Sequence, residues 1–269
     1  MLDLTIIFVS HDHDHLLPGA VAALAPAVEG LSVEVFLVDN LGRPDFGANI
    51  GPQPFDVRIF RNAHEQGLSR NTNQTAAAAR GKYLLMLNPD TKYERGHLSQ
   101  AIDYLERTPE AGLLGCRLLN RDGTLQRTYR KFPILPVIFI RGLYASKWPI
   151  QPAFYRQSLM EGVVLDRPAP VDWVLGAWLL MRREDFFNMG GMDERFFLYY
   201  EDIDLCYRVR QRGQSAIYYP GIVFRHTYAR SSAKQPLGRG WQRHASSICK
   251  YFWKHGYLLR PRVKALANA

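Results

Sequence analysis

The residues of this chain best placed to do chemistry are carboxylates and carboxamides that stand just after short apolar runs. Val33–Val38 is followed by Asp39-Asn40, and Tyr83–Leu87 by Asn88-Pro89-Asp90. A carboxylate at a strand's end can accept from the ring N–H of a uracil or thymine, which would make Asp39 a nucleobase reader. An Asx turn explains the same pair equally well. Asp90 can hold a hard divalent cation that bridges a nucleotide diphosphate, although Asn-Pro-Asp also makes an ordinary turn. His226, just after Ile222–Phe224, is either a ligand or a packed ring. Glu201-Asp202-Ile203-Asp204 opens a helix beside Phe196, Phe197, Tyr199 and Tyr200. Acids there cap free N–H groups, and acids crowded among aromatics also suit a general base with raised proton affinity. The tract His11-Asp12-His13-Asp14-His15 has a metal-binding composition. The hydrolase pattern H-x-H-x-D-H would need an aspartate at 15 and a histidine at 16, where His15 and Leu16 stand, so the tract is read as a loop entering a helix.

These groups need a scaffold. Leu4–Val9, Val33–Val38, Val57–Phe60 and Tyr83–Leu87 are expected strands, with helices over His15–Leu24 and Leu68–Arg80, the latter ended by Gly81 as a left-handed cap. Near-continuous apolar strands between helices imply a parallel sheet covered on both faces, with ligands at the strands' carboxyl ends. Ser10–Asp12, Asp39–Asn40, Asn62 and Asn88–Asp90 stand there. In the second half, Asp122-Gly123 turns a hairpin within Leu119–Gln126, and residues 131–170 make a long surface excursion. Val171–Met181 is expected as a strand, Arg183–Met189 as a short helix, Gly190-Gly191 as a break, and Glu201–Arg212 as a helix closed by Gly213. Strands Ala216–Tyr219 and Ile222–Phe224 follow. There is no internal repeat or flexible linker, which favours one domain plus a tail.

The chain has 269 residues, 47% of them apolar, which excludes a disordered polymer. Its net charge of +9 is uneven: from Arg225 to Ala269 there are ten Lys/Arg and no acid, leaving 24 basic and 25 acidic groups before them. The tail therefore carries the whole excess. It contains no recognised nucleic-acid motif, so no nucleic-acid partner is expected. A nucleotidyltransferase is disfavoured because no Gly-rich phosphate loop followed by lysine occurs. Cys116, Cys206 and Cys249 lie far apart without a C-x-x-C spacing, which points to a reducing compartment. The start lacks the features of a signal peptide, and Pro133–Ile140 is too short to span a bilayer. A cytoplasmic protein is expected, soluble or peripheral on the inner face of the cytoplasmic membrane.

Taken together, the motifs resemble the family 2 glycosyltransferases of the GT-A fold, especially bacterial rhamnosyltransferase-like members. They run in order over roughly residues 3–230: Val38-Asp39-Asn40; Asn62, Gly67-Leu68 and Asn71-x-Asn73; Leu87-Asn88-Pro89-Asp90-Thr91; Asp172-Trp173-x-x-Gly176-Ala177; Gly190-Gly191-Met192-Asp193-Glu194-Arg195-Phe196-Phe197; and Tyr200-Glu201-Asp202-Ile203-Asp204-Leu205. The resemblance implies an α/β GT-A fold with a mixed, mainly parallel sheet. Its catalytic domain would span 1–235, with a nucleotide-binding half to about 117 and an acceptor-binding half from 118, and the tail would span 236–269. It implies an inverting sugar transfer from a nucleotide diphosphate, with dTDP-L-rhamnose the favoured donor and a UDP-sugar the alternative, to a glycan or polyprenyl-linked acceptor. Asp202 would be the base, and Asp90 and His226 would hold Mg²⁺ or Mn²⁺. Ser10, Asp12, Asp39, Asn62, Gly67, Asn71 and Asn88 would contact the donor nucleotide. Asp172, Trp173, Gly176, Ala177 and Glu201 would shape the sugar and acceptor pocket. Ser10-His11-Asp12 and Gly42 depart from the family's usual residues at those positions. A nucleotide-sugar-binding protein without turnover is the remaining alternative.

In the tail, Trp241, Ala245, Ile248 and Phe252 form one helical stripe, Arg243, Lys250 and Lys254 another face, and Gly256 a stop. Such a helix suits an anionic membrane surface, or packing of its stripe against the domain.

Overall fold

Strand β1 (Leu2–Ser10) shows why the sheet needs a layer on each side. Its alternation sends Leu4, Ile6 and Phe8 into one buried cluster and Ile7 into a second. The computed structural model describes residues 2–143, 151–227 and 238–263. After β1 come α1 (Leu17–Ala22), β2 (Val33–Asp39), β3 (Asp56–Arg61), α2 (Leu68–Ala77), β4 (Gly81–Leu87), β5 (Thr91–Arg95) and α3 (Leu98–Arg107). The second half holds β6 (Ala111–Leu119), β7 (Leu125–Gln126), β8 (Tyr129–Arg130), α4 (Leu135–Gly142), α5 (Ala153–Ser158), β9 (Ala169–Val171) and β10 (Trp173–Val174). It ends with β11 (Trp178–Arg182), α6 (Arg183–Asn188), α7 (Glu201–Gln211), β12 (Ser215–His226) and α8 (Arg239–His255).

The main sheet runs β3-β2-β1-β4-β11-β6-β12-β5, with β7 on β6 and β9 on β12. The first four strands are parallel, as their apolar runs imply. β11 then enters antiparallel between β4 and β6, which makes the sheet mixed. The carboxyl ends of β1, β2 and β4 therefore open on one edge, beside β5 and the end of β12.

Four expectations about local structure are corrected. α2 stops at Ala77, and Gly81 is no cap: it begins β4, where an added Cβ would lie 2.3 Å from the Thr5 nitrogen. Glycine is needed there for backbone approach. Val171–Met181 is not one strand; it is broken between β10 and β11 at Leu175–Ala177. The two expected strands near 220 are one, β12, whose register slips between Tyr219 and Val223 around Pro220-Gly221. The 131–170 excursion carries two short helices, α4 and α5. The Asp122-Gly123 hairpin, the Gly190-Gly191 break and the Gly213 stop stand as expected, each of those glycines having a positive φ.

Helix α8 packs on the domain through Ile248 and Phe252 of the expected stripe, which a buried row beside them extends. Trp241 is 52% exposed, while Ser247, Tyr251 and His255 are buried. Tyr251 and His255 stack around Tyr207 of α7. The basic face is engaged too: Arg243 pairs with Glu65 at 2.7 Å, and Lys254 with Asp193 at 2.6 Å and Asp204 at 2.5 Å. Gly256 ends the helix in the left-handed conformation, as expected. Residues 236–237 and 264–269 of the expected tail, and its boundary at 235, lie outside the described residues.

Asp204 anchors this helix. Its fully buried carboxylate accepts from Arg208 at 2.8 Å, Lys254 at 2.5 Å and His255 at 2.9 Å. Burial alone would raise its pKa, but His255, Arg208 and Lys254 hold it below the ordinary range. Because the folded-state pKa is depressed, this stabilisation is present above the unfolded value near ~4 and is lost as pH falls below it. Asp204→Asn should lower unfolding free energy by about 3 kcal/mol at neutral pH, measured by urea denaturation, and the difference should shrink in acid.

Candidate active site

At the end of β2, both Asp39 carboxylate oxygens accept from the following turn, Oδ1 from the Leu41 N–H at 3.0 Å and Oδ2 from the Arg43 N–H. The Asx-turn reading of this residue is thus present in the fold. Its neighbour Asn40 is a hub. Asn40 Oδ1 accepts from Asn62 Nδ2, Asn71 Nδ2 and the Gln66 N–H, each at 2.9 Å. Asn71 Oδ1 accepts from Asn62 Nδ2 at 2.6 Å. Gly67 begins α2 with Phe197 so close that an added Cβ would lie 2.8 Å from its Cα. Asn73 clamps the Met192 backbone in both directions, donating to its O and accepting from its N–H, each at 2.8 Å. Amide side chains thereby join the segments after β2 and β3 to α2, and α2 to the Gly190–Phe197 segment.

Asp12 and Asp14 of the histidine-aspartate tract both turn to Arg43. Asp12 is exposed with a φ of 66°. Ser10 is buried, and its Oγ accepts from the His13 N–H at 3.2 Å.

Asp90 and His226 are brought together by the pairing of β12 with β5, in which His226 faces Thr91. His226 Nε2 lies 3.3 Å from Asp90 Oδ1, and both side chains are largely buried. Two ligands about 2.1 Å from a cation and at right angles to each other stand about 3 Å apart, so this spacing suits a shared ion. Gln126 Oε1 lies 2.8 Å from His226 Nδ1. With Nδ1–H donating to that oxygen, Nε2 keeps its lone pair toward Asp90, the arrangement that metal-binding histidines use. An imidazole with a carboxylate suits Mn²⁺ and accommodates Mg²⁺.

The break between β10 and β11 meets the first turn of α7 at Asp202. The Ala177 carbonyl accepts from the Asn88 N–H at 3.0 Å, and the Gly176 N–H donates to Asp202 Oδ2 at 2.8 Å. Two consecutive residues thus tie the Asn88–Asp90 loop to the first turn of α7. Asp202 Oδ1 accepts from the Ile203 N–H at 2.8 Å. Tyr199 and Tyr200 precede this turn with φ of 69° and 70°, a left-handed pair that stores strain of about 1–3 kcal/mol per residue. Tyr200 is held there by packing on Tyr251 and His244 of α8.

Glu201 and Asp202 are both buried. Burial raises both carboxyl pKa values, and the Asp202 charge raises Glu201 further, whereas the Gly176 and Ile203 amides favour ionised Asp202. The Glu201 carboxyl is pushed up to about 8, and the two backbone donors make Asp202 the more readily ionised of the pair. Glu201 Oε2 makes no hydrogen bond among the described residues, so Glu201 is not the exposed helix cap of the simpler reading.

Asp172 and Trp173 lie behind this turn. Asp172 Oδ2 accepts from the Phe132 N–H at 3.0 Å, and Trp173 Nε1 donates to the Lys131 carbonyl at 2.9 Å. They fix the 131–132 segment, while Gly176 and Ala177 act through their backbone. Gln126, hydrogen-bonded to His226, and Arg130 escape a motif reading, and the hub Asn40 stands in a motif that assigns it no contact of its own. Only Asn40 left a signal, its place beside Asp39.

An alanine Cβ at position 176 would lie 3.0 Å from Asp202 Cβ and 3.1 Å from Oδ2. Gly176→Ala should therefore press on Asp202 and shift its carboxylate, lowering kcat about tenfold or more while the donor dissociation constant, read by calorimetry, stays within about twofold.

The glycosyl transferase family 2 model matches residues 5–168 of this chain. The chain is 29% identical over 258 residues to the N-acetylglucosaminyl-diphospho-decaprenol L-rhamnosyltransferase of Mycobacterium tuberculosis, covering 91% of this chain and 82% of that one. It is 30% identical over 213 residues to the rhamnosyltransferase WbbL of Escherichia coli, covering 75% and 74%. The solved structure of GalNAc-T7 with UDP, GalNAc and Mn²⁺ superposes with a TM-score of 0.62 at 16% identity over 85% of this chain, which spans 44% of that protein. The fold is GT-A, the protein is a glycosyltransferase, and the chain belongs to glycosyl transferase family 2.

Proposed function

We propose that this glycosyltransferase moves L-rhamnose from dTDP-L-rhamnose, with inversion, to a sugar hydroxyl of a polyprenyl-diphosphate-linked acceptor. The observation that carries the reading is the tie from Asn88 through Ala177 and Gly176 to Asp202, which sets a cation-binding pair and a buried base on one short stretch of backbone. The two rhamnosyltransferase relatives support the donor, and the decaprenol-linked one supports the acceptor. A UDP-sugar remains the alternative donor of the same chemistry.

In this mechanism the Asn40–Asn62–Asn71 network and Asp39 shape the nucleotide end of the site. Asp90 and His226 would hold Mg²⁺ or Mn²⁺ at the diphosphate; such an ion supplies Lewis-acid stabilisation of the charge that builds there. Asp202 takes the proton of the acceptor hydroxyl. The hydroxyl oxygen bonds to the anomeric carbon from the face opposite the diphosphate, and the bond to the diphosphate oxygen breaks with its electron pair. One displacement inverts the centre, and no covalent nucleophile is needed. No helix among the described residues is long and apolar enough to cross a membrane. We place the protein against the inner face of the cytoplasmic membrane, where exposed apolar side chains would meet a lipid-borne acceptor.

The test pairs a thermal-shift panel of nucleotide sugars, with Mg²⁺ or Mn²⁺, with transfer assays. dTDP-rhamnose should stabilise the protein selectively, and chelation should abolish transfer. Asp202→Asn should lower kcat about 10²–10⁴-fold with donor binding intact. Full transfer by that variant would remove Asp202 from the base role. Because burial raises the Asp202 pKa, kcat should rise with pH along a limb lying above the ordinary aspartate value near ~4.

A further inference from the structure

Helix α8 meets the segment leading to Asp202 along one edge, formed by Arg243, His244 and Ser247. Ser247 Oγ donates to the Leu198 carbonyl at 3.0 Å. The His244 ring stands edge-on to Tyr199 with centroids 5.1 Å apart, and lies 5.7 Å from the Tyr200 ring. The Arg243 guanidinium lies 4.0 Å from the centroid of Phe197, and its Nη2 donates to Glu65 Oε1 at 2.7 Å. Four consecutive residues, Phe197 to Tyr200, are thus met by this edge. Arg243 also reaches across to the loop after β3, residues 62–67.

That loop and that segment serve different ends of the site. Asn40 clamps Gln66, the neighbour of Glu65, in both directions, accepting from its N–H and donating to its carbonyl, each at 2.9 Å. Glu65 therefore adjoins the amide network at the nucleotide end. The 197–200 segment ends in the left-handed pair Tyr199 and Tyr200, from which Glu201 and Asp202 follow. Such backbone persists only where its surroundings over-determine it. The first turn of α2 backs the segment from the other side: the Leu68 N–H donates to the Phe197 carbonyl at 2.8 Å, and Ser69 Oγ to the Phe196 carbonyl at 2.9 Å. Arg243 is the clasp between Phe197 and Glu65. A guanidinium suits that place, because its flat face stacks on a ring while its edge keeps N–H donors for a carboxylate. The two paired side chains are 28% and 34% exposed, so the pair adds little to overall stability. What it fixes is the position of one segment against the other.

We propose that Arg243 is a positioning residue that couples the donor nucleotide to Asp202. Through Glu65 and Phe197 it locks the loop beside the nucleotide to the turn that carries the base, so that a nucleotide which orders the loop also fixes the turn. This rests on the donor and base roles proposed above. Arg243 acts through its two neighbours, so its removal affects turnover more than donor affinity.

The experiment uses the full chain, with dTDP and Mn²⁺ as the probe. Hydrogen–deuterium exchange read by mass spectrometry should show dTDP slowing exchange at both 62–67 and 198–203 in the wild type. In Arg243→Glu the first region should stay protected and the second should lose its protection. That variant should also lower kcat for transfer about tenfold or more, while the dTDP dissociation constant stays within about threefold. Adding Glu65→Arg should recover part of both losses, and Arg243→Lys should keep more activity than Arg243→Gln. Undiminished protection of 198–203 in Arg243→Glu would overturn the coupling and leave the donor and base roles intact. So would a loss of kcat that Glu65→Arg does not recover and Arg243→Lys shares in full. A wild-type protein in which neither dTDP nor UDP protects 62–67 would overturn the donor reading, and this proposal with it.

Discussion

The site depends on the backbone of two adjacent residues, Gly176 and Ala177. The Ala177 carbonyl holds the amide of Asn88, and the Gly176 amide holds the carboxylate of Asp202. The first contact belongs to the loop that carries Asp90, and the second to the helix that carries Asp202. Their spacing is set by backbone geometry, which varies by tenths of an ångström, rather than by flexible side chains. Gly176 has no side chain because Asp202 occupies the space a Cβ would take. The sheet supports this arrangement from behind: β11 inserts antiparallel between β4 and β6, bringing 176–177 alongside the end of β4. An all-parallel sheet would not deliver a strand's start to that edge.

Electrostatics then divides the work. Asp90 and His226 share a largely buried spot in which Gln126 orients the imidazole. Asp202 is buried with two amide donors, and the carboxyl of Glu201 beside it is pushed up to about 8. The left-handed turn at Tyr199 and Tyr200 drives these acids inward, and α8 holds that turn through His244 and Tyr251. The basic C-terminal region thus takes on a different meaning in three dimensions. Arg243 and Lys254 pair with Glu65, Asp193 and Asp204, so part of the charge excess fastens α8 to the domain.

Strand positions and the carboxylates at their ends were legible in the sequence because buried parallel strands are continuous apolar runs. The same rule failed at Val171–Met181, where the run is apolar throughout. At the break the Gly176 N–H donates to Asp202, distant in sequence, instead of to a neighbouring strand. Tail packing was legible in part: Ile248 and Phe252 of the stripe reach the core, whereas Trp241 stays exposed and Tyr251 and His255 find aromatic partners on Tyr207. Gln126 and Arg130 are ordinary polar residues in isolation. β-register brings Gln126 to His226 and sets Arg130 opposite Trp173, information that local composition does not hold.

The most direct test of this account is the anomalous diffraction of manganese in crystals grown with Mn²⁺ and a non-transferable dTDP-rhamnose analogue. A single manganese peak in contact with Asp90 and His226, with the anomeric carbon presenting its free face to Asp202, is the result predicted. Manganese bound elsewhere, or a sugar whose free face points away from Asp202, would contradict it.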